Sequence, residues 1–267
     1  MNDKKVKNLV IVTAFFLLLA GAVMFFAFDR LDMTKHKTNN YVNYNINDYV
    51  EISSLIFEDY KDVYSSINVS KVNIKNLDYY LTTDFMVKQE EIIDNITGFY
   101  NQIDVNDNYI PSNTVSSDNV IQMNGTILSI FYKIDFNLDK NVFSDNTKSY
   151  VVTTNIDLVT NKVLTEDDLL SKYNYTKAFI ADKLFNEVIL IEKGQTVIDK
   201  ETNILLTKGD IERKKEQYVE RIITEFDNII DMYIEDGFLV LVYDTKELKN
   251  IFFNNKFNVD IKFRYLK

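Results

Sequence analysis

The stretch 153-TTNIDLVTNKVLTEDDLL-170 decides the fold. Its first half closes a strand that runs from Tyr150 to Leu158. Thr160-Asn161 then turns the chain, with Asn161 suited to a left-handed backbone position. Thr165 starts a helix: its hydroxyl caps free amides, and Asp168 stands at the third helical position, as a capping box requires. Glu166 and Asp167 complement the positive end of that helix, and Leu169 and Leu170 face inward. Strand, turn and capped helix within eighteen residues predict a mixed fold.

Upstream, Asn124-Gly125 predicts a two-residue hairpin turn. It joins Val120–Met123 to a strand in which Leu128, Ile130, Tyr132, Ile134, Phe136 and Leu138 alternate with Ser129, Lys133, Asp135 and Asn137. One face is expected in the core and the other mostly wet. Downstream, helices are predicted over 174–191 and 210–228, the second with Ile211, Tyr218, Ile222, Phe226 and Ile229 as its buried stripe. Between them, 196–206 suits a small hairpin. Asp236-Gly237 predicts another tight hairpin, Asp244 opens a short helix, and Phe257, Val259, Ile261, Phe263 and Tyr265 alternate in a last strand.

Ahead of all this, residues 44–74 suggest two or three strands. Leu81, Phe85, Ile92, Ile96, Phe99 and Ile103 mark one face of an amphipathic helix, with Lys88, Glu91, Asp94 and Asn95 opposite. The polar segment 104–117 holds Pro111, the sole proline, and is expected to be a loop. The fold class is α+β, helices packed on a mostly antiparallel sheet, preceded by one N-terminal transmembrane helix.

That last element rests on Leu9–Phe28, twenty residues without a charge and with Thr13 as the one polar side chain. At 1.5 Å per residue such a run spans a bilayer core of roughly 30 Å. Ala20-Gly21-Ala22 imitates a cleavage site, yet Val23, Met24, Phe25, Phe26 and Phe28 continue the apolar run, so an uncleaved anchor is expected. Lys4, Lys5 and Lys7 ahead of it place the N-terminus in the cytoplasm and the rest outside. The expected organisation is a cytoplasmic leader over 1–8, an anchor over 9–28, a stem over 29–43, a small N-terminal α/β lobe over 44–110 and a C-terminal α+β domain over 119–267.

Composition excludes several classes. The chain of 267 residues has no cysteine, which removes disulfides and thiol chemistry and is compatible with export from a Gram-positive cell. Its net charge is −10, and the first 37 residues hold six Lys/Arg against three Asp, so the body is more acidic still. Such a body repels phosphate backbones, and no nucleic-acid partner is expected. His36 is the sole histidine and lies in the stem, leaving no partner for a serine nucleophile. Asp135, Asn137 and Asp139 begin like a calcium loop, but Lys140 and Asn146 replace its glycine and its bidentate glutamate. Asp104, Asn106 and Asn108 fail likewise, with Tyr109 at the glycine position. Glu90-Glu91 and Glu166-Asp167-Asp168 could pair carboxylates for glycan chemistry, but adjacent helical residues point about 100° apart. No catalytic, metal or cofactor-binding residue is assigned, no cofactor is expected, and the ligand-binding residues are left unassigned.

Asn155-Ile-Asp157-Leu158, then Lys162-Val-Leu164-Thr165 and Asp168-Leu169-Leu170, resembles the opening signature of an extracytoplasmic domain family of unknown function. That domain forms the C-terminal part of the lysozyme-sensing anti-sigma factor of Gram-positive bacteria and accompanies some peptidoglycan deacetylases. The resemblance covers about Asn119 to Leu266. The loop 139–149 lacks the family's Gly-Gly-Ala-His motif, Asn161 replaces its turn glycine, and with eight residues ahead of the run no sigma-factor-binding segment is expected. No functional residue is transferred.

The resemblance and the anchor together imply a single-pass membrane protein of the cell envelope with an extracellular, non-enzymatic domain. Its partners would be the lipid bilayer through 9–28 and a cell-wall glycan or a secreted protein. The alternative is a cell-wall-modifying hydrolase or deacetylase accessory that uses carboxylates without a recognised pattern. Deleting Met1–Phe28 is expected to yield a soluble, monomeric body on size-exclusion chromatography; a truncated chain that aggregates would contradict an exported, self-contained body.

Overall fold

The computed structural model describes residues 44–55, 65–100, 113–138 and 147–267. The apolar run 9–28, the stem with His36, Ile103 and the residues Asp104, Asn106, Asn108 and Asp139 lie outside that set. Among the described residues no helix is long and apolar enough to cross a membrane.

The fold is α+β, and it holds two principal sheets rather than one. Strands β1 (Val50–Ser54), β2 (Ser65–Asn68) and β3 (Ser70–Ile74) follow a single turn of helix, α1 (Ile46–Tyr49). Helix α2 (Tyr79–Tyr100) leads to β4 (Asn113–Asn124), β5 (Ile127–Asn137) and β6 (Thr147–Asp157). Strand β7 (Lys162–Val163) precedes α3 (Glu166–Lys172) and α4 (Lys177–Leu184), which runs into a π-helical turn, Phe185–Ile189. Then come β8 (Thr196–Ile198), β9 (Leu205–Thr207), α5 (Lys208–Arg213), α6 (Lys215–Thr224) and α7 (Phe226–Ile229). Strands β10 (Asp231–Glu235) and β11 (Phe238–Asp244), helix α8 (Thr245–Asn250) and β12 (Ile261–Leu266) complete the order.

The larger sheet has the order β2-β4-β5-β6-β7, antiparallel except for β2 beside β4. Period-2 alternation in β5 makes its two faces different. Leu128, Ile130, Tyr132, Ile134 and Phe136 point to one side, where they pack with Phe85, Ile92 and Ile96 of α2 and with Val50 and Val72 of the β1–β3 pair. The segments 44–100 and 113–158 therefore share one core, inside a compact unit that runs from Tyr44 to Lys267. The other face was expected to be mostly wet. Along 127–131 it is instead covered by the second sheet, β10-β11-β12. Phe131 stacks on Tyr233 at 4.8 Å between centroids and meets Phe263 edge-on at 5.6 Å, beside Val240 and Val242. The far side of the second sheet, with Met232, Ile234, Leu239 and Leu241, packs against α3, α4, the π-helical turn, α6 and α8.

Sheet packing of this kind leaves β10 as an edge strand, and its outward backbone groups need partners. Side chains of the larger sheet supply them. Asn155 Nδ2 donates to the Met232 carbonyl at 2.8 Å, and the Ile234 amide donates to Ser129 Oγ at 2.7 Å. Ser129 in turn donates to Asn155 Oδ1 at 2.7 Å. Asn124 Nδ2 reaches the Ile234 carbonyl at 3.1 Å, and the Asp236 amide donates to Gln122 Oε1 at 2.7 Å. Ser129 and Asn155 are only 1% and 3% exposed, so these bonds replace water. Gln89 of α2 does the same for β3, accepting from the Val72 amide at 2.8 Å and donating to the Val72 carbonyl at 2.9 Å.

Local signals in the opening stretch hold. Asn161 has φ 53°, and Thr165 and Asp168 form the reciprocal capping box with Leu169 and Leu170 buried behind it. Asp236 and Gly237 take φ 50° and 80° in the expected two-residue turn. Elsewhere the structure differs. The first hairpin turns through Gly125-Thr126, one residue later than Asn124-Gly125, because Asn124 still pairs with Ile127. The expected loop 104–117 gives way to strand at Asn113, since β2 and β5 flank β4 and satisfy its backbone. The helix expected over 210–228 is three short helices, the first starting from a second capping box at Thr207 and Asp210. The last strand spans only Ile261–Leu266, and Phe263 and Tyr265 remain 40% and 54% exposed. They do share the face of Tyr233, but β12 is the sheet's outer strand, beyond full cover.

Replacing Asn155 by Leu removes the bond to Met232 and strands Ser129, so it is expected to lower unfolding free energy by about 2–3 kcal/mol. Urea titration checks this against the exposed control Asn258→Ala, expected within about 0.5 kcal/mol of wild type.

Candidate functional site

Among the described residues, three separate segments converge on the larger of two polar clefts. Strands β8 and β9 pair from Thr196↔Thr207 to Ile198↔Leu205. The turn between them is pinned to the segment after α8: the Lys200 amide donates to the Phe252 carbonyl at 2.8 Å and the Asn254 amide to the Ile198 carbonyl at 2.9 Å. Helix α6 closes the third side. Lys214, Gln217, Tyr218 and Arg221 recur at i, i+3, i+4 and i+7, which places them on one helical face. With Asp199, Glu201, Ile251 and Phe252 they line a cleft of about 330 Å³.

Asp199 organises the turn. Its Oδ1 accepts from the Glu201 amide at 3.1 Å, the Thr202 amide at 2.9 Å and the Thr202 hydroxyl at 2.9 Å. Its Oδ2 accepts from Lys214 Nζ at 3.0 Å. Burial opposes ionisation of this carboxyl, but the Thr202 amide, the Lys214 ammonium and the Thr202 hydroxyl outweigh it and hold the pKa below the usual range. Three donors crowd Oδ1, while Oδ2 accepts only from Lys214.

Tyr218 is the reverse case. It is 7% exposed, packed on Phe252 at 4.6 Å and on Phe253 edge-on at 6.2 Å. Its buried hydroxyl has no hydrogen-bond partner among the described residues. Burial, then the charges of Asp199 and Glu201, push its pKa up to about 12, so it remains a donor. Arg221 spends its Nε on Glu225 at 3.4 Å.

The smaller cleft, about 230 Å³, lies where β6, β11 and α8 meet and is lined by Tyr150, Asn228, Asp231, Asp244 and Glu247 among others. Burial pushes the Asp231 carboxyl up to about 6 against a weak bond from the Thr153 hydroxyl at 3.3 Å. Burial, then the neighbouring Asp244, also raises Glu247. Asp244 accepts from the amides of Lys246 and Asp260, at 2.8 and 3.0 Å, and is structural.

The carboxylates weighed from sequence are dispersed. Glu90 pairs with Lys71. Asp135 accepts from Ser149 at 2.6 Å and pairs with Lys133 at 2.7 Å. Asp168 is held down to about 2 by Lys162 and by the Thr165 amide and hydroxyl of its cap. Among the described residues no group of three His, Cys, Asp or Glu is placed to hold a metal ion. Sequence reasoning placed Tyr218 in a core stripe and passed over Asp199, Lys214 and Arg221. The available signal was Asp199 followed by Thr202, an Asp-led turn, opposite a helix face where cations flank a tyrosine.

No family model matches the chain, and no curated protein matches it. Four solved chains are similar to it. One is a DUF3298 family member from Bacteroides fragilis, 14% identical over 52% of this chain and 68% of that one, with a TM-score of 0.27. A likeness that loose transfers no residue, ligand or activity.

Two outcomes follow from the titrating and unpaired groups. Tyr218→Phe deletes an unsatisfied buried hydroxyl and is expected to raise stability by about 1 kcal/mol in urea titration. Asp231 has a folded pKa of about 6 against an ordinary 3.8, so its protonated form contributes stability that is complete below about pH 4 and lost as pH rises through 6. Asp231→Asn should therefore match wild type at pH 4 and exceed it by about 2–3 kcal/mol at pH 7.5. Equal stability of the two at both pH values would contradict this.

Proposed function

We propose that this chain is a membrane-anchored, extracytoplasmic protein of the cell envelope whose folded body binds a cell-wall component or a secreted protein without catalysing a reaction. The anchor reading rests on Leu9–Phe28, the lysines ahead of it and the acidic body behind it. The binding reading is carried by one observation, the tethered Asp199 with its lowered pKa. The most deeply buried carboxylate of the larger cleft is tied to its own turn and to Lys214 by four hydrogen bonds that hold its pKa low, which makes it a weak base, while the wall around it presents donors and an aromatic floor. A cleft of that make-up suits recognition of a ligand.

A second reading, a cell-wall-modifying hydrolase or deacetylase accessory, draws on the smaller cleft. Asp231 and Glu247 both have raised pKa values there, the usual condition of acid–base pairs. The two readings separate in one experiment. Full-length chain in detergent is incubated with purified cell wall, with lysozyme and with culture supernatant, and both retention and the release of reducing ends or free amines are measured. Retention without release is expected. Release above buffer that disappears in Asp231→Asn and Glu247→Gln would overturn the binding reading in favour of the enzyme.

A further inference from the structure

Exposed side chains with apolar bodies gather at one corner of the fold, where helix α2 begins. Tyr79 and Tyr80 open that helix at 79% and 64% exposure, and Val159, in the turn between β6 and β7, is 64% exposed. Three hydrogen bonds join the helix start to that turn. The Tyr80 hydroxyl donates to the Asn161 carbonyl at 3.2 Å and accepts from Asn161 Nδ2 at 2.7 Å, and the same Nδ2 donates to Asp78 Oδ2 at 2.8 Å. The patch is thus held in place before anything covers it, so docking it on a partner costs little ordering entropy. The described chain enters the body at the same corner. Asn76 Nδ2 donates to the Asp48 carbonyl at 2.6 Å and the Lys75 amide to the Tyr49 carbonyl at 2.7 Å, which fixes α1 beside the start of α2. Tyr44, the first described residue, has its ring 6.2 Å from that of Tyr49.

We propose that this corner rests on the lipid bilayer, with Tyr79, Tyr80 and Val159 at the boundary between headgroups and acyl chains. The statement rests on the anchor reading above and adds a second membrane contact, made by the folded body. Fifteen residues, 29–43, separate Phe28 from Tyr44, and a chain of that length reaches roughly 50 Å at most. An anchor ending at Phe28 therefore keeps the corner where the chain enters within that reach of the bilayer, and a tethered surface needs only weak intrinsic affinity to dock. A protein partner has no such advantage and must arrive by diffusion. The side chains suit the lipid boundary: a tyrosine has an apolar ring and a polar tip, and such residues settle where a bilayer meets water. Charge contributes little to the contact, because the charged groups of the corner are occupied. Lys162 pairs with Asp168 at 2.7 Å and Lys75 faces Glu51 at 3.9 Å, while Asp157 accepts from the Val159 amide at 3.0 Å and the Thr160 hydroxyl at 2.9 Å. Uncharged phosphatidylcholine surfaces therefore suffice as the test membrane.

The chain has no tryptophan, so a single introduced one reports on its own surroundings. Full-length Tyr79→Trp is reconstituted in phosphatidylcholine vesicles with and without brominated acyl chains, beside Leu205→Trp as the control, since Leu205 of β9 is equally open to solvent at 64%. Brominated lipid is expected to quench the Tyr79→Trp emission by about half or more and that of Leu205→Trp by under about a tenth. Adding Val159→Asp, at an exposed turn position, should cut the Tyr79→Trp quenching at least twofold. Tyr79→Trp left unquenched in chains that float with the vesicles, equal quenching at both positions, or quenching untouched by Val159→Asp would each overturn the docking and leave the anchor standing. Emission of Tyr79→Trp that responds to culture supernatant but not to brominated lipid would assign the corner to a protein instead. Chains that fail to float with vesicles at all would overturn the anchor reading and the docking together.

Discussion

An edge strand buried between two sheets is the constraint on which the structure depends. Stacking β10-β11-β12 on the larger sheet removes water from the outer side of β10, and each orphaned backbone group there would be destabilising by about 1–3 kcal/mol. Ser129 and Asn155 resolve this with a chain of three bonds: Ile234 amide to Ser129, Ser129 to Asn155, Asn155 to Met232 carbonyl. Asn124 and Gln122 extend the seam to the hairpin tip. Beside it, Phe131 and Tyr233 stack, so polar and apolar contacts fix the same register. Because side-chain bonds have direction where apolar contact does not, the seam sets how far one sheet slides along the other.

The helices inherit their position from that arrangement. They pack on the free face of the second sheet, through Met232, Ile234, Leu239 and Leu241. The π-helical turn lies against α8, where Arg264 of β12 also pairs with Glu187. Helix α8 in turn delivers Phe252 and Phe253 to the β8–β9 hairpin, and Phe226 and Ile222 hold the α6 region on the same core. The cleft is thus a product of packing from the seam outward: its floor, its Asp199 turn and its helical wall come from three segments that meet only because the second sheet is where it is.

What could be read from the amino acids follows from range. The Thr165–Asp168 cap, the Asp236-Gly237 turn and the stripe of α2 all involve partners within a few residues, and propensity and period reveal them. The seam involves partners about a hundred residues apart, and nothing local in Asn155 distinguishes a sheet-linking amide from a solvated one. Alternation in β5 correctly separated its faces but could not show that a second sheet covers one of them. In β12 alternation likewise names a face without saying whether anything covers it; Phe263 and Tyr265 stay partly in water, with Tyr265 donating to Glu235 at 2.8 Å. The candidate site showed in the sequence only as an Asp-led turn and a helix face with cations around a tyrosine, since Asp199, Tyr218 and Phe252 approach one another only in the folded chain.

The stretch Thr153–Leu170 therefore contributes more than a signature: Asn155 is the pivot of the seam, and the capped helix behind it starts the layer that shapes the cleft. Amide hydrogen exchange at Ile234 tests this most directly. With its N–H donated to buried Ser129, the account predicts exchange as slow as that of core amides in β11, and loss of that protection in Ser129→Ala while β11 stays protected. Exchange of the Ile234 amide in the wild type at the rate of an exposed edge strand would contradict it.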